Sequence, residues 1–166
     1  CGAAHRRGAE AGGGQPAEQR WQLRRSGSPA GSGRSAWRPA APDLPDAPIA
    51  VLGWSFGASY AIWAPSVRDC VTATVAYCGA WVGEFIKDAS APLIGHFAET
   101  DPFTSDGDVR ALEEAYRRAG REIVTHQYPG TGHWFAEPSR PEFRADAADL
   151  AFDRTVTFLR DRLGAG

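Results

Sequence analysis

The 166-residue chain has no methionine, only three cysteines and no long apolar run. Without a methionine it carries no initiator, so a piece or a processed product of a longer chain is expected. Cys1, Cys70 and Cys78 are odd in number and form no C-x-x-C pair. That spacing argues against a disulfide framework or a zinc motif and suits a reducing compartment, so a cytoplasmic setting is expected, with no metal and no cofactor. Cys70 and Cys78 flank an apolar stretch and read as buried thiols. Nothing approaches the roughly 18 uninterrupted apolar residues of a membrane span. A formal net charge of -2 offers no electrostatic case for nucleic acid or an anionic membrane surface.

Residues 1–46 differ from the remainder of the chain. They are dense in Gly, Arg, Ala, Pro and Ser, lean positive, and hold only Trp21, Leu23, Trp37 and Leu44 as large apolar residues. No period of two or 3.6 runs through them, so they have too little apolar surface to offset the entropy of ordering. A disordered or irregular segment is expected. A reading frame foreign to the domain is one origin for it, which translating the upstream DNA in all frames would test.

From residue 47 to 166 strands and helices alternate. Pro48–Leu52 is a short apolar run suited to a buried parallel strand. Phe56–Ala64 reads as a helix stopped by Pro65. Val71–Tyr77 is β-branched and aromatic, a second strand, and Pro92–Ala98 a third. Val109, Leu112, Tyr116 and Ala119 fall on one helical face, closed by Gly120. Glu122–Tyr128 is a fourth strand. Phe152, Val156, Leu159 and Leu163 line one face of a last helix starting near Ala145. This alternation predicts an α/β class, a parallel sheet of about four strands flanked by helices.

Between the first strand and the first helix stands Gly53-Trp54-Ser55-Phe56-Gly57, a G-x-S-x-G. The pattern suits a sharp strand-to-helix turn with the serine at its tip, both glycines being read as clearing room for the turn. Asp101 follows the third strand and His133 the fourth. In a parallel sheet chemistry gathers at the carboxyl ends of strands, and Ser, Asp, His is the chain order of α/β-hydrolases. Serine needs a base to take its proton as it attacks; imidazole can do so, and a carboxylate orients it. Each residue alone has a plainer role, since Ser and Asp-Pro favour turns and a loop histidine is commonly solvated. Three in this order at three strand ends point to a triad. His96 and His126 lie within strands, His5 in the irregular lead, and Asp106 and Asp108 in the first turn of a helix whose dipole favours them. Glu99 reads as a solvated strand-end acid.

The stretch Ile49–Leu163 resembles the dienelactone hydrolase family of α/β-hydrolases. "GWSFGA" is similar to its nucleophile elbow, "GHFAETDPF" to its acid loop and "YPGTGHWF" to its histidine loop, with "YCGAW" and "AFDRTVTFL" as further family-like segments. The resemblance implies Ser55 as nucleophile, His133 as base, Asp101 as orienting acid and the Phe56 N–H as an oxyanion donor. Trp54, Trp134, Phe135 and Glu137 are expected to border the substrate. The expected activity is cleavage of a small carboxylic ester or lactone through an acyl-enzyme. Dienelactone-cleaving members carry cysteine where Ser55 stands, and an arginine shortly after the histidine where this chain has Trp134-Phe135-Ala136-Glu137; Glu137 is expected to repel an anionic substrate. The family's first strands and helices, and the loop giving a second oxyanion donor, have no counterpart in residues 1–46. The competing expectation is a non-catalytic remnant with an incomplete pocket. In the family's strand order the first strand here becomes an apolar sheet edge, so self-association through it is expected.

Overall fold

The computed structural model describes residues 48–164. The irregular segment expected over 1–46 lies outside them. Four strands form one all-parallel sheet in the order β1 (Ile49–Trp54), β2 (Val71–Tyr77), β3 (Leu93–Thr100), β4 (Ile123–Gly132). The connections are α1 (Phe56–Trp63), α2 (Asp106–Arg118) and two 3-10 turns, Ala64–Ser66 and Glu84–Asp88; α3 (Ala145–Leu163) closes the chain. No helix of the described residues is long and apolar enough to cross a membrane.

The sheet is buried on both faces, and the period of two along each strand sorts its side chains. Ala73, Val75 and Tyr77 of β2 join Ile94 and Ala98 of β3 beneath Ala151 and Phe158 of α3. The alternate residues Ala76, Leu93 and Phe97 pack under Ala58 and Ile62 of α1 and Leu112, Ala115 and Tyr116 of α2. This gives helix, sheet and helix in three layers. Among the described residues β1 is an edge strand, with Leu52 40% and Trp54 45% exposed. Cys70, expected as a buried thiol, is exposed, because the turn that carries it ends just before the apolar run of β2 begins.

Strand ends run further than the apolar pattern indicates. β3 continues through Glu99 and Thr100, and β4 through Gly132, because parallel pairing extends to Thr100↔Gly132. The polar tails of both strands are held by neighbours: Gly130 N–H donates to the Glu99 carboxylate (2.9 Å). In α3 the fully packed stripe is Ala148, Ala151, Thr155 and Phe158, one position before the expected 152/156/159/163 face. Small alanines let the helix approach the sheet, and Thr155 is drawn inward by polar partners there.

Those partners form a buried chain across the layer. Tyr77 Oη lies 2.9 Å from Thr155 Oγ1, Thr155 Oγ1 2.9 Å from His96 Nε2, and His96 Nδ1 2.8 Å from Tyr128 Oη. Arg154 Nη1 donates to Tyr128 Oη at 3.3 Å. Burial first, then the charges of His126 and Arg154, push the His96 pKa down to about 3. A neutral imidazole has one donor and one acceptor nitrogen, and both are used here.

Candidate active site

Each strand of the sheet hands the chain to a side chain of a type that can carry chemistry. Ser55 follows β1, Cys78 follows β2, Asp101 follows β3 and His133 follows β4. All four lie at the carboxyl edge, where the strands end and helices or loops begin.

Ser55 sits at φ 52, ψ -121, a left-handed conformation that costs a non-glycine residue energy and is retained where the surroundings fix it. Its N–H is held by Tyr77 O (2.8 Å) and its carbonyl accepts from Ala58 N–H (2.9 Å). A Cβ on Gly53 would fall 2.1 Å from Gly57 O, so this glycine is demanded by backbone contact. A Cβ on Gly57 would meet nothing within 4 Å among the described residues. Only the first glycine of the motif thus clears room for the turn, where the spacing suggested both. Gly79 fits the same crossing closely: a Cβ there would lie 2.5 Å from Ser55 O.

The structure brings Ser55, His133 and Asp101 together. Ser55 Oγ is 2.8 Å from His133 Nε2, and His133 Nδ1 is 2.7 Å from Asp101 Oδ2. An ionised carboxylate only accepts, so Nδ1 carries the imidazole proton and Nε2 presents a lone pair to the serine hydroxyl. The other oxygen of Asp101 accepts the N–H groups of Phe103 (2.8 Å) and Thr104 (3.1 Å). This is the Asx-type turn of the Asp-Pro sequence, which fixes the carboxylate in the plane that meets His133. A capping box at Ser105 and Asp108 then starts α2, so Asp108 is occupied away from the site.

A turn from Gly132 to Phe135 presents the His133 ring, with Phe103 and Trp134 edge-on to it at 4.8 and 4.9 Å between ring centres. The N–H of Phe56, first residue of α1, is among the donors a helix start leaves without an intrahelical acceptor. A cavity of about 350 Å³ opens beside these groups, lined by Ser55, Phe56, Cys78, Trp81, Phe103 and Thr104 among others. A larger open space of about 420 Å³ at His126 has no serine or cysteine among its described lining residues.

The remaining expected border residues divide. Trp134 stands beside His133, with Arg140 stacked over its ring at 5.0 Å. Glu137 forms an ion pair with Arg140 at 3.6 Å where the sequence suggested a bare carboxylate, and neither Glu137 nor Trp134 is among the residues lining the cavity. Phe135 is fully buried and stacks on Tyr128 at 5.0 Å; it is core, because the turn that points His133 outward points Phe135 in. Trp54 lies on the sheet edge, stacked on Tyr77 at 5.1 Å, and is not among the residues lining the cavity. Trp81, Phe103 and Thr104 carry no sequence signal because they reach the site from irregular loops. Cys78 is a buried thiol as expected, at 4% exposure, but its place beside Asp101 follows only from the pairing of β2 with β3. Burial first, then the Asp101 charge, pushes its thiol pKa up to about 12.

A model of the dienelactone hydrolase family matches residues 36–163. The chain belongs to the dienelactone hydrolase family. The match begins at residue 36, inside the segment 1–46 that composition alone sets apart. A relative from Azospirillum brasilense, named provisionally as a carboxymethylenebutenolidase, is 33% identical over 102 residues, covering 60% of this chain and 44% of that protein. Carboxymethylenebutenolidase 1 of Cupriavidus pinatubonensis is 29% identical over 116 residues, 67% of this chain and 47% of its own length. The chain thus spans under half the length of these curated relatives. A crystal structure from Klebsiella pneumoniae, provisionally assigned as a dienelactone hydrolase, superposes with a TM-score of 0.61 at 21% identity, over 66% of this chain and 50% of that one. At that identity the likeness speaks for the α/β-hydrolase fold.

Proposed function

We propose that the chain carries the catalytic half of a serine hydrolase that cleaves small carboxylic esters or lactones. The observation behind this reading is the continuous relay from Ser55 Oγ through His133 to Asp101 at 2.8 and 2.7 Å. In it, Ser55 attacks the acyl carbon as its proton passes to His133 Nε2. Asp101 holds Nδ1–H and stabilises the imidazolium. The Phe56 N–H receives charge developing on the carbonyl oxygen. His133 returns the proton to the departing alkoxide, which for a lactone stays tethered to the acyl group. It then activates a water that frees Ser55. The substrate names of the relatives suggest the lactone class; Ser55, in place of the cysteine of dienelactone-cleaving members, favours ordinary esters equally.

A fluorophosphonate probe tests the reading on the full chain. Labelling abolished by Ser55→Ala supports it. Folded protein that takes no label supports a non-catalytic remnant instead. The proposal includes pairing of a second copy along the outer edge of β1, where Leu52 and Trp54 stand exposed. Sedimentation that does not change with concentration would remove that part. The free thiols Cys70 and Cys78 fit the cytoplasmic setting that belongs to the same reading.

A further inference from the structure

Cys78 takes no part in the relay, yet it stands at the corresponding strand end and reaches the same cavity. Its Sγ, an Asp101 carboxylate oxygen and a His133 ring nitrogen all lie within 4.8 Å of one another. Thiolate, carboxylate and imidazole are the three donor types of zinc sites, and at 2–6% exposure all three are largely shielded from bulk water. Cys78 itself is held at φ 49, with its N–H on His96 O (2.8 Å) and its carbonyl accepting from Thr104 Oγ1 (3.3 Å). The thiol is therefore fixed by backbone anchors on both sides.

We propose that Cys78, Asp101 and His133 form an inhibitory site for a thiophilic divalent cation, zinc or cadmium. Zinc holds nitrogen and oxygen at about 2.0–2.2 Å and sulfur at about 2.3 Å, so His133 Nδ1 and Asp101 Oδ2, now 2.7 Å apart, must open by about half an ångström while Cys78 Sγ moves inward. A fourth position faces the cavity and takes water. Binding expels the Cys78 proton to solvent, and thiolate plus carboxylate neutralise the cation's two charges. The cation enters between His133 Nδ1 and Asp101 and takes the Nδ1 lone pair. The ring proton then resides on Nε2, facing Ser55 as a donor. No electrons change hands, but the base has lost the lone pair that would receive the serine proton. Hard cations such as magnesium gain nothing from a thiolate and are excluded.

The inhibitory consequence rests on the catalytic reading of His133; the binding does not. The test therefore reads binding first, titrating cadmium into the reduced full chain and following the ultraviolet cadmium–thiolate absorption. Saturable binding at one equivalent is expected for the chain and for its Cys1→Ser and Cys70→Ser variants. Cys78→Ser should abolish it, and His133→Ala and Asp101→Asn should each weaken it by about tenfold or more. Magnesium should produce no signal. Ester turnover, followed in parallel, should fall with cadmium, recover with a chelator, and become insensitive to cadmium in Cys78→Ser. Cadmium absorption unchanged by Cys78→Ser, or lost with Cys70→Ser instead, overturns the site. Cys78-dependent binding in a chain without any hydrolysis would leave the site standing and remove the catalytic reading.

Discussion

His133 Nδ1 lies 2.7 Å from Asp101 Oδ2, and both side chains are 2% exposed. Away from water this charge-assisted hydrogen bond fixes one tautomer, because the two N–H groups of Phe103 and Thr104 already occupy the other oxygen.

Asp101→Asn should therefore be more damaging than its near-identical shape suggests. The Phe103 and Thr104 amides require an acceptor, so the asparagine turns its oxygen to them and its NH2 to His133. Nδ1 must then accept, Nε2 carries the proton, and Ser55 loses its base. A fall of about ten-thousandfold in turnover of an activated ester is expected, with the circular dichroism spectrum unchanged. His133→Ala should cost a similar amount, and the double variant little more, since the two act as one unit. Additive losses would show that Asp101 acts independently of His133.

The two glycines of the elbow should separate. Gly53→Ala places a methyl group 2.1 Å from a backbone oxygen and should destabilise the chain by about 1–3 kcal/mol or prevent folding. Gly57→Ala meets no neighbour among the described residues, within a helix where alanine outranks glycine by about 1 kcal/mol. It should unfold at equal or higher urea concentration than the parent. A larger loss from Gly57→Ala than from Gly53→Ala would reverse the assignment of the close contact.

Most of this fold is legible because parallel strands buried on both faces are written as unbroken apolar runs. Val71–Tyr77, broken only by the β-branched Thr72 and Thr74, is close to one, and the structure begins and ends β2 at those residues. Where pairing continues through polar residues, as at Glu99–Thr100 and at Pro129–Gly132, hydropathy loses the strand while the ladder carries on. The residues of the relay are legible for a different reason: chemistry restricts which side chains can follow three strand ends in that order. Phe103, Trp81 and Arg140 are not, because loops place them and no period marks a loop. Thr155 shows the third limit. A polar residue on an apolar helix face reads as a boundary, whereas here it points inward to His96 and Tyr77.

His96 should write its burial into the pH dependence of stability. Its pKa is pushed from 6.5 in the free side chain to about 3 in the folded chain. On acidification the unfolded chain therefore takes up the proton first. The contribution is fully present above pH 6.5 and is lost at about 1.4 kcal/mol per pH unit as the pH falls toward 3. His96→Asn should be less stable at neutral pH, having lost the bridge between Thr155 and Tyr128, yet lose less further stability on acidification. Urea unfolding across that window checks both. Parallel pH profiles for the two proteins would mean that His96 is not what the acid attacks.

Charge selection near the site should depend on a single ion pair. Glu137 lies four residues after His133, and its charge reaches Cys78, raising the thiol pKa in the same sense as that of Asp101. A carboxylate alone there would oppose an anionic ester by about 1 kcal/mol at 4 Å in water. Arg140, at 3.6 Å from Glu137 and stacked on Trp134, cancels much of that field. Removing either charge should therefore uncover the other. Glu137→Gln should raise the ratio of kcat/KM for an anionic ester over a matched neutral one, and Arg140→Gln should lower it. Each change should be about two- to fivefold at low ionic strength, the scale of a partly exposed ion pair, and should shrink as salt is added. Shifts in the same direction, or none in either variant, would mean that the pair faces solvent and that substrate charge is selected elsewhere.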